Sequence, residues 1–121
     1  MALPKAKDLL PAWVKALESG EYSQTRDSLQ DNSGFCCLGV LCDVASKQFG
    51  YGQWDRDKNG IIGFKTPRTG TVYSNLPNPF NKVVRSELEG ELIWLNDDEG
   101  LDFEGIAQVI RYKHPNVFSN L

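Results

Sequence analysis

Phe35-Cys36-Cys37-Leu38-Gly39-Val40-Leu41-Cys42-Asp43 is the stretch whose reading decides the fold. Leu38, Leu41, Cys42, Ala45 and Phe49 recur at helical spacing, which predicts a buried helix from about Leu38 to Gln48. Phe35 to Cys37, just before it, read as the end of a short strand. All three cysteines of the chain fall in this block, two of them at the junction of strand and helix.

Upstream, Asp31-Asn32-Ser33-Gly34 is turn chemistry, and Thr25 to Gln30 is the expected partner strand. Leu10, Trp13, Val14 and Leu17 lie at i, i+3, i+4 and i+7, one apolar stripe of a first helix. Asp8 is its expected N-cap, Pro11 is expected in its first turn, and Gly20 is placed to end it in a left-handed conformation. Downstream, residues 50–79 are rich in Gly, Pro and Asn but also carry Trp54, Ile61, Ile62, Phe64, Val72 and Tyr73. Two short antiparallel strands joined at Asn59-Gly60 in a type I′ turn fit this pattern, with a looser ribbon around Thr71 to Tyr73.

The last third returns to helical spacing. A short helix is expected from Asn78-Pro79 through Val84, and a second piece carries Leu88, Leu92, Ile93 and Leu95. Asn96-Asp97-Asp98-Glu99-Gly100 breaks it, and Asp102 caps a final helix with Phe103, Ile106, Ala107 and Ile110 inward. His114-Pro115 closes that helix. The expectation is one α+β domain over residues 1–121, with terminal helices on a small antiparallel sheet built from Tyr22 to Cys37 and the middle ribbon.

At 121 residues the chain is long enough for one core without staples. Its net charge of −3 and lack of a Lys/Arg run argue against a nucleic-acid partner. The longest uncharged apolar stretch, Phe35 to Cys42, is far short of a bilayer span, so no membrane partner is expected. Met1 to Leu10 lacks the continuous apolar region of a signal peptide, so the cytoplasm is the expected location and the cysteines are expected as free thiols.

Four constellations carry candidate chemistry. Cys36 or Cys37 at a helix start, with Gln24 as a donor and His114 as the only imidazole, outlines a cysteine hydrolase. The plainer reading is that small thiols fill the core beside Leu38 and Leu41. Cys36, Cys37, Cys42 and His114 match the ligand count of a structural zinc but not its spacing. Asp55, Asp57 and Asn59 followed by Gly60 resemble the start of a calcium loop, but Thr66 stands where a bidentate Glu is needed, so a hairpin with acidic flanks is favoured. Asn96 to Glu99 collects three carboxylates within a turn, as Mg2+ binding or general acid–base chemistry would use, but a helix–helix link whose side chains bond backbone is favoured. No phosphate loop is present, since Gly50-Tyr51-Gly52 is too short, and no cofactor is expected.

Three blocks together resemble a known group. They are Trp13-x-x-Ala16-Leu17-x-Ser19-Gly20-x-Tyr22-x-Gln24, the Cys36 to Asp43 block, and Leu95-Asn96-Asp97 with Phe103-x-x-Ile106-Ala107-x-x-Ile110. The chain is similar here to a group of small proteins of bacteriophage and prophage genomes. The resemblance implies a viral or prophage origin and action in a bacterial cytoplasm; it implies no mechanism.

Polar side chains among core elements must be hydrogen-bonded or face a ligand. The ligand-binding candidates are therefore Tyr22, Gln24, Arg26, Asp43, Asn96 and Asp97, and a site is expected where these meet Cys36. The leading expectation is a non-enzymatic phage-type protein that binds a host factor, in its most natural version to inhibit an anti-phage defence system. An alternative is sequestration of a small nucleotide-type ligand by aromatic stacking with Arg26, Arg56 or Arg68 on phosphates, in a pocket that a homo-oligomer would share.

Overall fold

Helix α1 spans Ala6–Glu18 in the computed structural model, which describes residues 2–118. Its inward stripe of Leu9, Leu10, Trp13, Val14 and Leu17 is the one that the spacing predicts. Its start differs. Lys5 is the cap residue and bonds through no side chain, so Asp8 lies inside the first turn, where its charge favours the helix N-terminus. Pro11 consequently sits in the second turn, where it removes the bond to Lys7. Lys7 is exposed, so water can satisfy that carbonyl. Gly20, at φ 77, ends the helix as expected.

The chain then pairs only briefly. Gln24 bridges Phe35 in parallel, and strands β1 (Gln30–Asp31) and β2 (Gly34–Phe35) form a two-residue antiparallel ladder. The expected strand over Thr25 to Gln30 is not extended. Asp27 has a left-handed φ of 67, which breaks any ladder there. The Thr25 hydroxyl instead reaches the Asp31 carboxylate at 2.7 Å, and Asp31 also accepts from the N–H of Ser33 and Gly34. These bonds, the Thr25 hydroxyl first, hold the Asp31 carboxyl below its usual range.

Helix α2 (Cys37–Phe49) is the centre of the molecule. Every residue from Cys37 to Ala45 is buried, so it is a core helix on all sides rather than an amphipathic one. Gly39 is required by a close approach: a Cβ there would stand 1.8 Å from the Leu29 carbonyl oxygen. The Trp13 indole donates to the Cys37 carbonyl at 2.9 Å and ties α1 to this helix. Gly50 ends it at φ 67.

Strands β3 (Gln53–Arg56), β4 (Ile62–Thr66) and β5 (Thr69–Val72) form a second antiparallel sheet in that order. The β3–β4 connection is not the expected type I′ turn. Gly60 N–H bonds the Asp57 carbonyl and Gly60 alone has a positive φ, so a type I turn runs into a glycine bulge. After a 3-10 turn at Phe80–Lys82 come α3 (Ser86–Asp97), α4 (Phe103–Lys113) and α5 (Pro115–Phe118). Asp102 caps α4 by accepting the Gly105 N–H at 2.8 Å, as its position in the sequence predicts.

The class is α+β, with two small antiparallel sheets in place of one. Helix α1 packs on α2, α4 and α5, so the helices from the two ends of the chain meet each other as well as the centre. A run of edge-to-face rings, Tyr22–Phe35–Trp54–Phe64–Phe80–Tyr51, links both sheets to the core at centroid spacings between 4.9 and 6.2 Å.

Candidate functional site

On α3 the inward stripe is Leu88, Leu92 and Asn96, so an amide stands where spacing calls for a third apolar residue. Asn96 is buried, and it joins four segments. Its Oδ1 accepts the Cys37 N–H at 3.2 Å and the Gln24 amide at 2.8 Å. Its Nδ2 donates to the Thr25 carbonyl at 2.9 Å and to Asp97 at 2.8 Å. Because Cys37 N–H can only donate and Thr25 C=O can only accept, the amide orientation is fixed by its backbone partners. Gln24 donates also to the Leu101 carbonyl, and Asp97 accepts the N–H of the left-handed Asp27. Beside this hub lies a cavity of about 130 Å3 lined by Asp27, Cys36, Cys37, Ser74, Asn96 and Asp97, among others.

A second polar hub is separate from the first. Asp43 is 1% exposed, and its carboxylate accepts from the Tyr22 hydroxyl at 2.5 Å and the Trp54 indole at 3.0 Å. Lys47, one helical turn on, reaches it at 3.1 Å. Burial, reinforced by the Asp43 charge, pushes the Tyr22 hydroxyl well above its ordinary pKa. Of the expected ligand set, then, Gln24, Asn96 and Asp97 meet beside Cys36, whereas Tyr22 and Asp43 pair with each other. Arg26 is exposed and lies near Gly100, where a Cβ would meet its Nη2 at 3.0 Å.

The cysteines are packed as core. Cys37 and Cys42 are fully buried, and burial pushes both thiols up. Cys36 caps α2 and is pushed up to about 11, chiefly by burial, although the N–H groups of Gly39 and Leu38 pull it down. His114 is at the far end of α4, where its Nδ1 contacts the Ile110 carbonyl at 2.9 Å, and it borders a different cavity from Cys36. Gln24, the expected oxyanion donor, is engaged by Asn96 and Leu101. The hydrolase constellation is thus divided between two places in the fold.

At the β3–β4 tip, Asp57 accepts the N–H of Asn59 and of Ile61 at 2.8 and 2.9 Å. Its carboxylate shapes the hairpin, with Asp55 exposed on β3 and Asn59 exposed in the turn. Among the described residues no group of three or more His, Cys, Asp or Glu side chains is arranged to hold a metal ion.

One further cavity is not announced by the sequence. A groove of about 520 Å3 runs between the start of α3 and the end of α4. Lys82 and Arg85 stand on one wall, Lys113 and His114 on the other, and Val83, Leu88 and Val117 are among its apolar residues. Glu87 and Glu91 also face it, and Lys113 approaches Glu91 at 3.5 Å. Lys82 and Arg85 are exposed and have no carboxylate within ion-pair distance among the described residues. In the sequence these side chains lie about thirty residues apart, on segments read only as a helix start and a helix stop.

The chain belongs to the family described as a domain of unknown function, DUF8296, whose family model matches residues 5–114. That span takes in both polar hubs and the groove as far as His114. No curated protein and no solved structure matches the chain. No described helix is long and apolar enough to cross a membrane.

Proposed function

We propose that this chain is a phage-type binding protein that acts on a host factor in the cytoplasm of a bacterium, where it blunts an anti-phage defence. One observation carries the binding part of this reading. The side chains with chemical potential, Cys36, Gln24, Asp43 and Asn96, are buried or tied into the fold, whereas the groove of about 520 Å3 keeps exposed cations with no partner. A site whose polar groups face outward unpaired is suited to holding something rather than to transforming it. The host and the defence come from the sequence resemblance.

The test is a plating assay. The chain is expressed in bacterial strains that each carry one defence system, and each strain is challenged with a phage which that system restricts. Restored plating on one strain, lost when Lys82 and Arg85 are both replaced by Glu, supports the reading. Unchanged restriction on every strain removes the anti-defence role.

The groove also favours a second reading, in which the host factor is a small anionic signal that the protein sequesters. Its volume lies in the range of small-molecule sites, roughly 300 to 1,000 Å3.

A further inference from the structure

We infer that the groove between α3 and α4 is a binding site for a phosphate ester of nucleotide size, with the phosphoryl group between Lys82 and Arg85. The inference rests on the sequestering reading and deepens it by naming the ligand class and the place. It departs from the sequence expectation, which put the phosphates on Arg26, Arg56 or Arg68. Arg56 is committed elsewhere, donating to the Gly60 carbonyl at 3.0 Å.

Three features point the same way. The first is charge. Three cations and two carboxylates line the groove, a positive balance on a chain whose net charge is −3. One of the carboxylates, Glu91, already faces Lys113 at 3.5 Å, which leaves Lys82 and Arg85 without a partner among the described residues. An unpaired lysine and arginine lining one groove supply the donor types that phosphate takes: a point charge and a planar fork.

The second feature is the floor. Val83 and Leu88 are each 8% exposed, and the half-buried Val117 faces them across the groove. That apolar strip beside the cations suits a ligand with a charged end and a flat, weakly polar body. His114 adds a ring on the opposite wall, and with Nδ1 at the Ile110 carbonyl its other nitrogen is left for a ligand.

Shape is the third. Both walls are helical, so no strand edge is offered to the backbone of an acidic peptide. The concavity of about 520 Å3 matches a single nucleotide-sized molecule.

The experiment is a thermal-shift and calorimetric titration of the whole chain with adenine and guanine mononucleotides, diphosphates and cyclic dinucleotides. Inorganic phosphate and a polyglutamate peptide are the references. At least one nucleotide is expected to raise the melting temperature, since a ligand of the native state stabilises it. The Lys82→Ala/Arg85→Ala variant, which changes only exposed side chains, should keep its own melting temperature and bind at least about tenfold more weakly. Lys113→Glu, on the opposite wall, should weaken binding independently. No nucleotide-induced shift, a shift from phosphate or polyglutamate alone, or equal binding by the double variant would each overturn the inference. The plating assay is scored on the same proteins. Rescue without nucleotide binding removes this site and leaves the host-factor reading standing, whereas binding without rescue does the reverse.

Discussion

Asn96 is where a single side chain does most for the arrangement of the chain. It occupies a core position on α3, and its amide serves the first N–H of α2, the Gln24 side chain, the Thr25 carbonyl and Asp97. A leucine would fill the space but leave the Cys37 N–H and the Thr25 carbonyl without this partner. A buried polar group that loses its partner costs about 1 to 3 kcal/mol, and here more than one loses it. Asn96→Ala is therefore expected to lower unfolding stability by about 2 to 4 kcal/mol. In a urea titration this should move the midpoint and leave the slope unchanged. Asn96→Asp keeps an acceptor for Cys37 but can no longer donate to Thr25, and it sets a second carboxylate beside Asp97, so it should recover little. A loss below about 1 kcal/mol in both variants would mean that water replaces the amide and that the hub is dispensable.

At the scale of elements, the close approach of α2 to the Leu29 carbonyl at Gly39 yields a paired prediction. Gly39→Ala drives a Cβ to within 1.8 Å of the Leu29 oxygen, a backbone atom that cannot step aside, so α2 must shift. The expected cost is about 3 kcal/mol or more. Gly90 lies inside α3 with open space around its Cα, and Gly90→Ala should instead stabilise by roughly 0.5 to 1 kcal/mol. Both are read from thermal melts of the purified variants; a Gly39→Ala protein as stable as the parent would contradict the close approach. The same elements separate what was legible in the sequence from what was not. The inward faces of α1 and α4, the burial of α2 and the cap at Asp102 follow from spacing and local hydrogen bonding, and they were readable. The strand expected over Thr25 to Gln30 was not, because the outcome depends on Asp27 turning left-handed toward Asp97, seventy residues away. The polar hub was half legible: Gln24 and Asn96 stood out as polar residues among core elements, but nothing local says that they bond each other and leave Tyr22 to Asp43. The groove was illegible, since its walls come from segments whose sequence signals concern only where helices begin and end.

For the whole molecule, three buried thiols around one central helix set a limit on stability at high pH. Burial raises all three, Cys36 to about 11 and Cys37 and Cys42 well above the ordinary value. The folded chain therefore holds thiol protons over a range in which the unfolded chain gives them up. With more protons bound in the folded state, the slope of unfolding free energy against pH is negative. The contribution is complete below the ordinary thiol pKa, close to 9, and it declines as pH rises toward and past 11. Each thiol that titrates only in the unfolded chain contributes a slope of about 1.4 kcal/mol per pH unit. Tyr22, raised by burial beside Asp43, adds the same sign at the upper end. Urea midpoints recorded in steps from neutral pH to about pH 11 should fall progressively beyond pH 9. Circular dichroism and tryptophan fluorescence should fall together, because Trp13 on α1 and Trp54 on β3 both report on elements joined through α2. Cys42→Ala removes one such group for the loss of a small side chain and should flatten the slope by about one proton's worth. A midpoint that is constant up to pH 11, or a slope indifferent to Cys42, would mean that the thiols reach water and that the centre of the fold is looser than the burial of α2 requires.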